Sequence, residues 1–157
     1  MKRERVEPGP GQESVWDYPR PPRLEKTTRR ISITFNEVVI VDTRRAWRVL
    51  ETSHPPVYYV PRDDIRHECL IENPRTSYCE WKGLARYLDV RVGDRTAEAS
   101  AWYYPEPTAS FEPIRDHVAF YPARMDACRV DDEEVAPQPG GFYGGWITSE
   151  IVGPFKG

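Results

Sequence analysis

Arg44 to Pro61 reads RRAWRVLETSHPPVYYVP. Arg44, Ala46 and Arg48 fall on one side of a period-two pattern, with Arg45, Trp47 and Val49 on the other. A strand covered on one face has this pattern. Leu50 closes the apolar run, Glu51 to His54 form a polar break, and Pro55-Pro56 imposes an extended backbone short of donors before Val57 to Val60 resume strand character. An interrupted strand of this kind leaves polar groups at a sheet rim. Cations, a carboxylate and a titratable imidazole beside tyrosines can surround an anionic or aromatic ligand. The plainer account of the same residues pairs Glu51 with a nearby arginine and lets His54 fill a turn.

The flanking text has the same period. Ile31, Ile33 and Phe35 alternate with Ser32 and Thr34, and Asn36-Glu37 separates them from Val38 to Val41, which predicts a hairpin. Arg86 to Val92 sets Leu88, Val90 and Val92 opposite Tyr87, Asp89 and Arg91. A turn at Gly93-Asp94 returns the chain as a strand over Arg95 to Tyr104. Its Ala97, Ala99 and Ala101 face is small and invites close approach by another layer or a ligand. Ile65 to Ile71 reads as a short strand, Asn73-Pro74 as a break, and Thr76 to Gly83 as a short strand ending at the glycine. Val118 to Tyr121 reads as a core strand and Met125 to Val130 as an edge strand. Ser110 is placed to cap one helical turn over Phe111 to Asp116.

The chain has 157 residues, enough for one domain with its own core. Its 16 prolines, 5 tryptophans and 9 tyrosines favour an aromatic-filled core between short strands over long helices. A formal net charge of -3 argues against general nucleic-acid binding, which needs a clustered basic surface. No stretch approaches membrane-spanning length and the start has no apolar leader core, so a cytoplasmic location is expected. Cys69, Cys79 and Cys128 are odd in number without CxxC spacing, which predicts reduced thiols and no zinc site. His54, His67 and His117 are too scattered to suggest a metal, and no cofactor is expected.

Residues 1–28 are proline-, glycine- and charge-rich and are expected to form a flexible arm, in which Trp16 and Tyr18 are either anchors onto the body or exposed aromatics. Residues 29–130 form the expected β domain. Residues 131–157 turn acidic and then glycine- and aromatic-rich without a period, and are expected to form a tail.

Four motifs, RAWRVLETSHPPVYYVP, CEWKG, TAEASAWYYPEP and DHVAFYPARMDA, lie between about Arg30 and Asp126. Through them the chain resembles the DUF427 proteins, a family of unknown function. The resemblance implies a single β-tent domain, two antiparallel sheets meeting at an angle, as in cereblon's ligand-binding domain and methionine-R-sulfoxide reductases. Several β-tent relatives carry a structural zinc on paired CxxC motifs, which this sequence lacks. The family is sometimes filed as nucleotidyltransferase-like. Such enzymes hold two metal ions with a Gly-Ser dipeptide and a spaced carboxylate pair, and neither is present. Many members have His before and Pro after the motif cysteine; here those places hold Tyr78 and Glu80.

The fold expected is therefore mainly β, antiparallel sheets with one or two short helices. The function expected is binding of a small molecule, nucleotide-like or aromatic, in a cleft formed by Arg48, Glu51, Tyr58, Cys79, Lys82, Tyr87 and Trp102. The alternative is a transferase or hydrolase using Cys79 as a nucleophile, with Lys82 favouring its thiolate, or Glu51 with His54 for acid–base work. The plainer reading of the aromatics is core filling, and of Cys79 a small core residue. A weaker third expectation is an interaction module built on the glycine–aromatic tail.

Overall fold

The computed structural model describes residues 4–141 and 143–157. Its strands, in chain order, are β1 (Glu13–Ser14), β2 (Arg23–Lys26), β3 (Ile31–Phe35), β4 (Val38–Thr43), β5 (Trp47–Leu50), β6 (Val57–Tyr59), β7 (Leu70–Cys79) and β8 (Gly83–Val92). They continue as β9 (Arg95–Tyr103), β10 (Val118–Phe120), β11 (Ala127–Val130), β12 (Glu133–Glu134), β13 (Ala136–Pro137), β14 (Trp146–Ile147) and β15 (Ile151–Val152). The described helical segments are short 3-10 turns, the longest being Ala109–Ile114. The fold is mainly β, and every ladder but the parallel β1–β15 pair is antiparallel.

Two four-stranded sheets, ordered β10-β9-β8-β7 and β12-β11-β3-β4, and a three-stranded sheet, β2-β5-β6, carry most of the structure. The β3–β4 hairpin forms where the alternation predicts it. Asn36 and Glu37 both take positive φ, 48° and 66°, as a tight two-residue turn whose twist matches its strands requires. Asn73-Pro74 does not end a strand. It is a register shift inside β7, where the missing proline N–H removes no ladder bond. Gly83 opens β8 rather than closing the strand before it, and the 3-10 turn over Ala109–Ile114 has Thr108, not Ser110, at its N-terminal boundary, without a side-chain capping bond. Thr108 Oγ1 donates to the Trp81 carbonyl at 2.7 Å and ties this turn to the β7–β8 connection.

The largest core cluster lies between the sheets and includes Ile31, Ile33, Phe35, Leu88, Val90, Tyr103, Val118 and Phe120. A second, aromatic cluster lies on the other face of the β7–β10 sheet. Ala85, Tyr87, Trp102, Tyr104 and Ala119 alternate with the residues that face the first core. Paired bonds of 2.9 Å between Val60 and Val118 carry β6 alongside β10, so Tyr58 joins the main core and Tyr59 the aromatic cluster.

Both ends of the described chain pack onto this body, where a flexible arm and tail were expected. β2 runs four residues along β5, and β1 pairs with β15. Trp16 Nε1 donates to the Pro154 carbonyl at 2.9 Å. Trp146 is 1% exposed against Tyr58. A few aromatic anchors hold these segments, and their strands of two to four residues are too short to print a period. No described helix is long and apolar enough to cross a membrane.

Candidate functional site

β5, β6, the end of β7 and the C-terminal segment enclose a cavity of about 340 Å³ on the aromatic-cluster side. Val49, Val57, Tyr59 and Trp102 form its wall. Trp102 Nε1 donates to Tyr59 Oη at 3.2 Å, fixing both rings, and Tyr121 packs on Trp102 with centroids 4.6 Å apart. Burial drives the Tyr59 phenol well above its usual pKa, and burial with neighbouring Tyr87 pushes Tyr121 up to about 12. These hydroxyls stay protonated and can donate.

The polar lining comes from distant parts of the chain: Arg20, Glu51, His54, Cys79, Lys82 and Lys156. Arg20 Nη2 meets Glu51 Oε2 at 3.0 Å, so the cavity's carboxylate is already paired. Lys82 is only 8% exposed. Among the described residues it has no carboxylate partner, and its Nζ lies 5.7 Å from the ring centroids of Tyr104 and Phe111. Lys156 likewise has no ion pair there and lies 6.0 Å over the Tyr143 ring. Burying a cation without a counter-charge is costly, so buried Lys82 favours an incoming anion, while Lys156 adds an exposed charge at the rim.

His54 is half-buried, its ring 5.3 Å from that of Tyr143. Burial lowers its pKa; Glu51 opposes the shift, and Lys156, Arg20 and Lys82 add to it. Its Nδ1 lies 3.2 Å from Gln138 Nε2. Gln138, 4% exposed, also donates to the Lys156 carbonyl and accepts the Gly145 amide through Oε1 at 3.2 Å. The C-terminal segment closes the cavity because it has no side chain where it crosses. A Cβ on Gly144 would lie 2.4 Å from Trp102 Cη2, and one on Gly145 2.4 Å from Gln138 Oε1.

Of the residues expected from sequence, Glu51, His54, Cys79, Lys82 and Trp102 come together here. Arg48 and Tyr58 do not. They are cross-strand partners on β5 and β6, and a strand sends neighbours to opposite faces, so Val49 and Tyr59 face the cavity instead. Arg48 donates to Glu13 at 3.0 and 3.1 Å and to Glu25 at 3.0 Å, so its charge is spent inside a structural ion cluster. Tyr87 lines a neighbouring hollow. Arg20, Gln138, Tyr143 and Lys156 escaped the sequence reading because they lie outside the patterned strands, and Tyr121 because it ends a run that reads as core. The Gly-Gly before Trp146 was the usable signal, since paired glycines mark close approach of backbone to another group.

A larger depression, about 840 Å³, lies elsewhere, between β3, β4 and the turn at Arg62–Asp64. Several of its charges are already paired: Arg30 with Asp42, and Asp64 with Arg45 outside the lining, both at 2.9 Å. Among the described residues no three His, Cys, Asp or Glu side chains gather to hold a metal ion.

A mainly β domain with a cationic, aromatic-walled cavity is thus the class the structure defines. The chain belongs to the family described as Domain of unknown function (DUF427), whose model matches residues 23–131. No curated protein matches it.

Proposed function

We propose that this is a cytosolic small-molecule-binding domain whose cavity takes a small anion carrying a planar, aromatic part. Lys82 supports this reading most directly: a buried cation with ring faces and no carboxylate beside it is a counter-charge awaiting a ligand. Lys156 adds a second unneutralised charge, and Tyr59, Trp102 and Tyr121 offer ring surface and donors. The volume, about 340 Å³, is near the lower limit of ligand pockets and favours one ring with its substituents.

The test is a thermal-shift and titration series with aromatic carboxylates, nucleoside monophosphates and the neutral amides of the same acids. Anions should raise the melting temperature and amides should not. Lys82→Met should weaken anion binding by roughly 10- to 100-fold, the range for a charge-assisted hydrogen bond. Equal binding of acids and amides would exclude the reading.

The second reading is an enzyme, because Cys79, Glu51 and His54 share this cavity. Cys79 would serve as nucleophile, or Glu51 and His54 would move protons.

A further inference from the structure

Tyr121 and Tyr143 also line a second hollow, of about 310 Å³, so the two cavities share a wall. Among the described residues no carboxylate lines the second one, and its charged groups there are Arg75 and Arg124. Arg75 lies 4.8 Å over the Tyr87 ring without a carboxylate partner among the described residues. Arg124 Nη1 donates to a backbone oxygen, that of Glu98, at 3.1 Å. Ser77 Oγ lies 3.0 Å from Tyr87 Oη, and Tyr87 and Tyr121 both line this hollow, Tyr121 at the shared wall. Each hollow therefore holds two more cations than carboxylates, with aromatic rings between them.

Resting on the anion-binding reading above, we propose that the two hollows form one bipartite site for an elongated aromatic dianion. One anionic end lies near Lys82 and Lys156, the other near Arg75 and Arg124, and the ring system lies along Tyr121 and Tyr143. Arginine at the outer end suits a planar carboxylate or a phosphate, which its fork can hold through two parallel hydrogen bonds.

The probes are a naphthalene bearing carboxylates at its two ends and the matching mono-acid, titrated calorimetrically into the full chain. Wild-type protein should bind the diacid about tenfold more tightly than the mono-acid, the gain from a second charged contact. The double variant Arg75→Gln, Arg124→Gln should bring that ratio close to unity. Lys82→Gln should weaken both acids together and keep the ratio. Equal affinity of the two acids for wild type overturns the bipartite site and leaves the single-cavity reading standing. Failure of both acids to bind overturns both. An advantage for the diacid that survives the double arginine variant also overturns the assignment of Arg75 and Arg124.

Discussion

Gln138 Nε2 donates to His54 Nδ1 at 3.2 Å. The amide cannot be turned round, because its other N–H reaches the Lys156 carbonyl and its Oε1 takes the Gly145 N–H. His54 Nδ1 must therefore accept, and the neutral ring carries its proton on Nε2. Protonation would set two donors against each other in a site that already holds Arg20, Lys82 and Lys156. Burial, with these cations adding to it and Glu51 opposing, holds the folded-state pKa below the ordinary 6.5. A depressed pKa means that the unfolded chain binds the proton more readily, so this contribution is fully present above 6.5 and lost as pH falls below it. Glu13, Asp42, Asp64 and Asp126 have pKa values below their ordinary 4.5 and 3.8, so their losses come at more acidic pH. Melting temperature should fall between about pH 6.5 and pH 5, and His54→Gln, whose carbonyl can still accept from Gln138, should flatten that window. A wild-type profile that is flat there would contradict the assignment.

Gly144→Ala places a methyl 2.4 Å from Trp102 Cη2, a rigid ring edge held by Tyr59. Either the C-terminal segment lifts or the indole rotates, at a cost of about 1–3 kcal/mol. Gly141→Ala is the control, because its methyl meets nothing within 4 Å and surface changes stay within about 0.5 kcal/mol. Urea denaturation midpoints of the two variants give the comparison.

Removing the C-terminal segment should unfold the protein rather than trim it. Trp146 is 1% exposed, its ring 4.9 Å from Tyr58 and its Nε1 3.4 Å from the Phe120 carbonyl. Truncating such a side chain costs about 3–5 kcal/mol, so Trp146→Ala alone should be severely destabilising. Limited proteolysis should therefore yield no stable fragment ending near Asp131. Accumulation of one would show that the segment is dispensable.

The strand period was legible, but its parity was not. Arg44 to Pro61 reads correctly as two strands with a polar break, yet alternation alone is symmetric between faces. Arg48 and Tyr58 were placed where Val49 and Tyr59 stand. Deciding the parity needed Glu13 and Glu25, which draw Arg48 to the opposite face from a segment that showed no period of its own. Glu51, His54, Cys79, Lys82 and Trp102 were legible because they sit in or beside strands whose alternation can be read. Lys156 and Gln138 were not, since their positions depend on glycines packing against Trp102 and Pro55.

Arg48→Met tests that parity. The side chain is 11% exposed between Glu13 and Glu25, which are 44% and 40% exposed. Its loss leaves two carboxylates partly hydrated, so the cost should be about 2 kcal/mol, below the value for a fully buried pair. Binding of aromatic acids by the folded variant should match wild type. A loss of affinity comparable to that of Lys82→Met would place Arg48 in the cavity after all.

Cys79 and Lys82 separate binder from enzyme, since both line the cavity at the β7–β8 turn. In a binding domain Lys82 supplies the counter-charge and Cys79 only wall. Cys79→Ser conserves shape, so affinity should change less than about threefold, whereas Lys82→Met should lose at least about tenfold. An enzyme using Cys79 as nucleophile reverses the ranking. Cys79→Ser would abolish the covalent step while ground-state binding survives, and Lys82→Met would reduce both. Titration of each variant with an aromatic carboxylate, followed by mass analysis of activated esters incubated with wild type, reads both quantities. Absence of an acyl adduct, with affinity following Lys82, is the outcome expected. A stoichiometric adduct on Cys79 that turns over, and disappears in Cys79→Ser, would replace the binding reading with the enzymatic one.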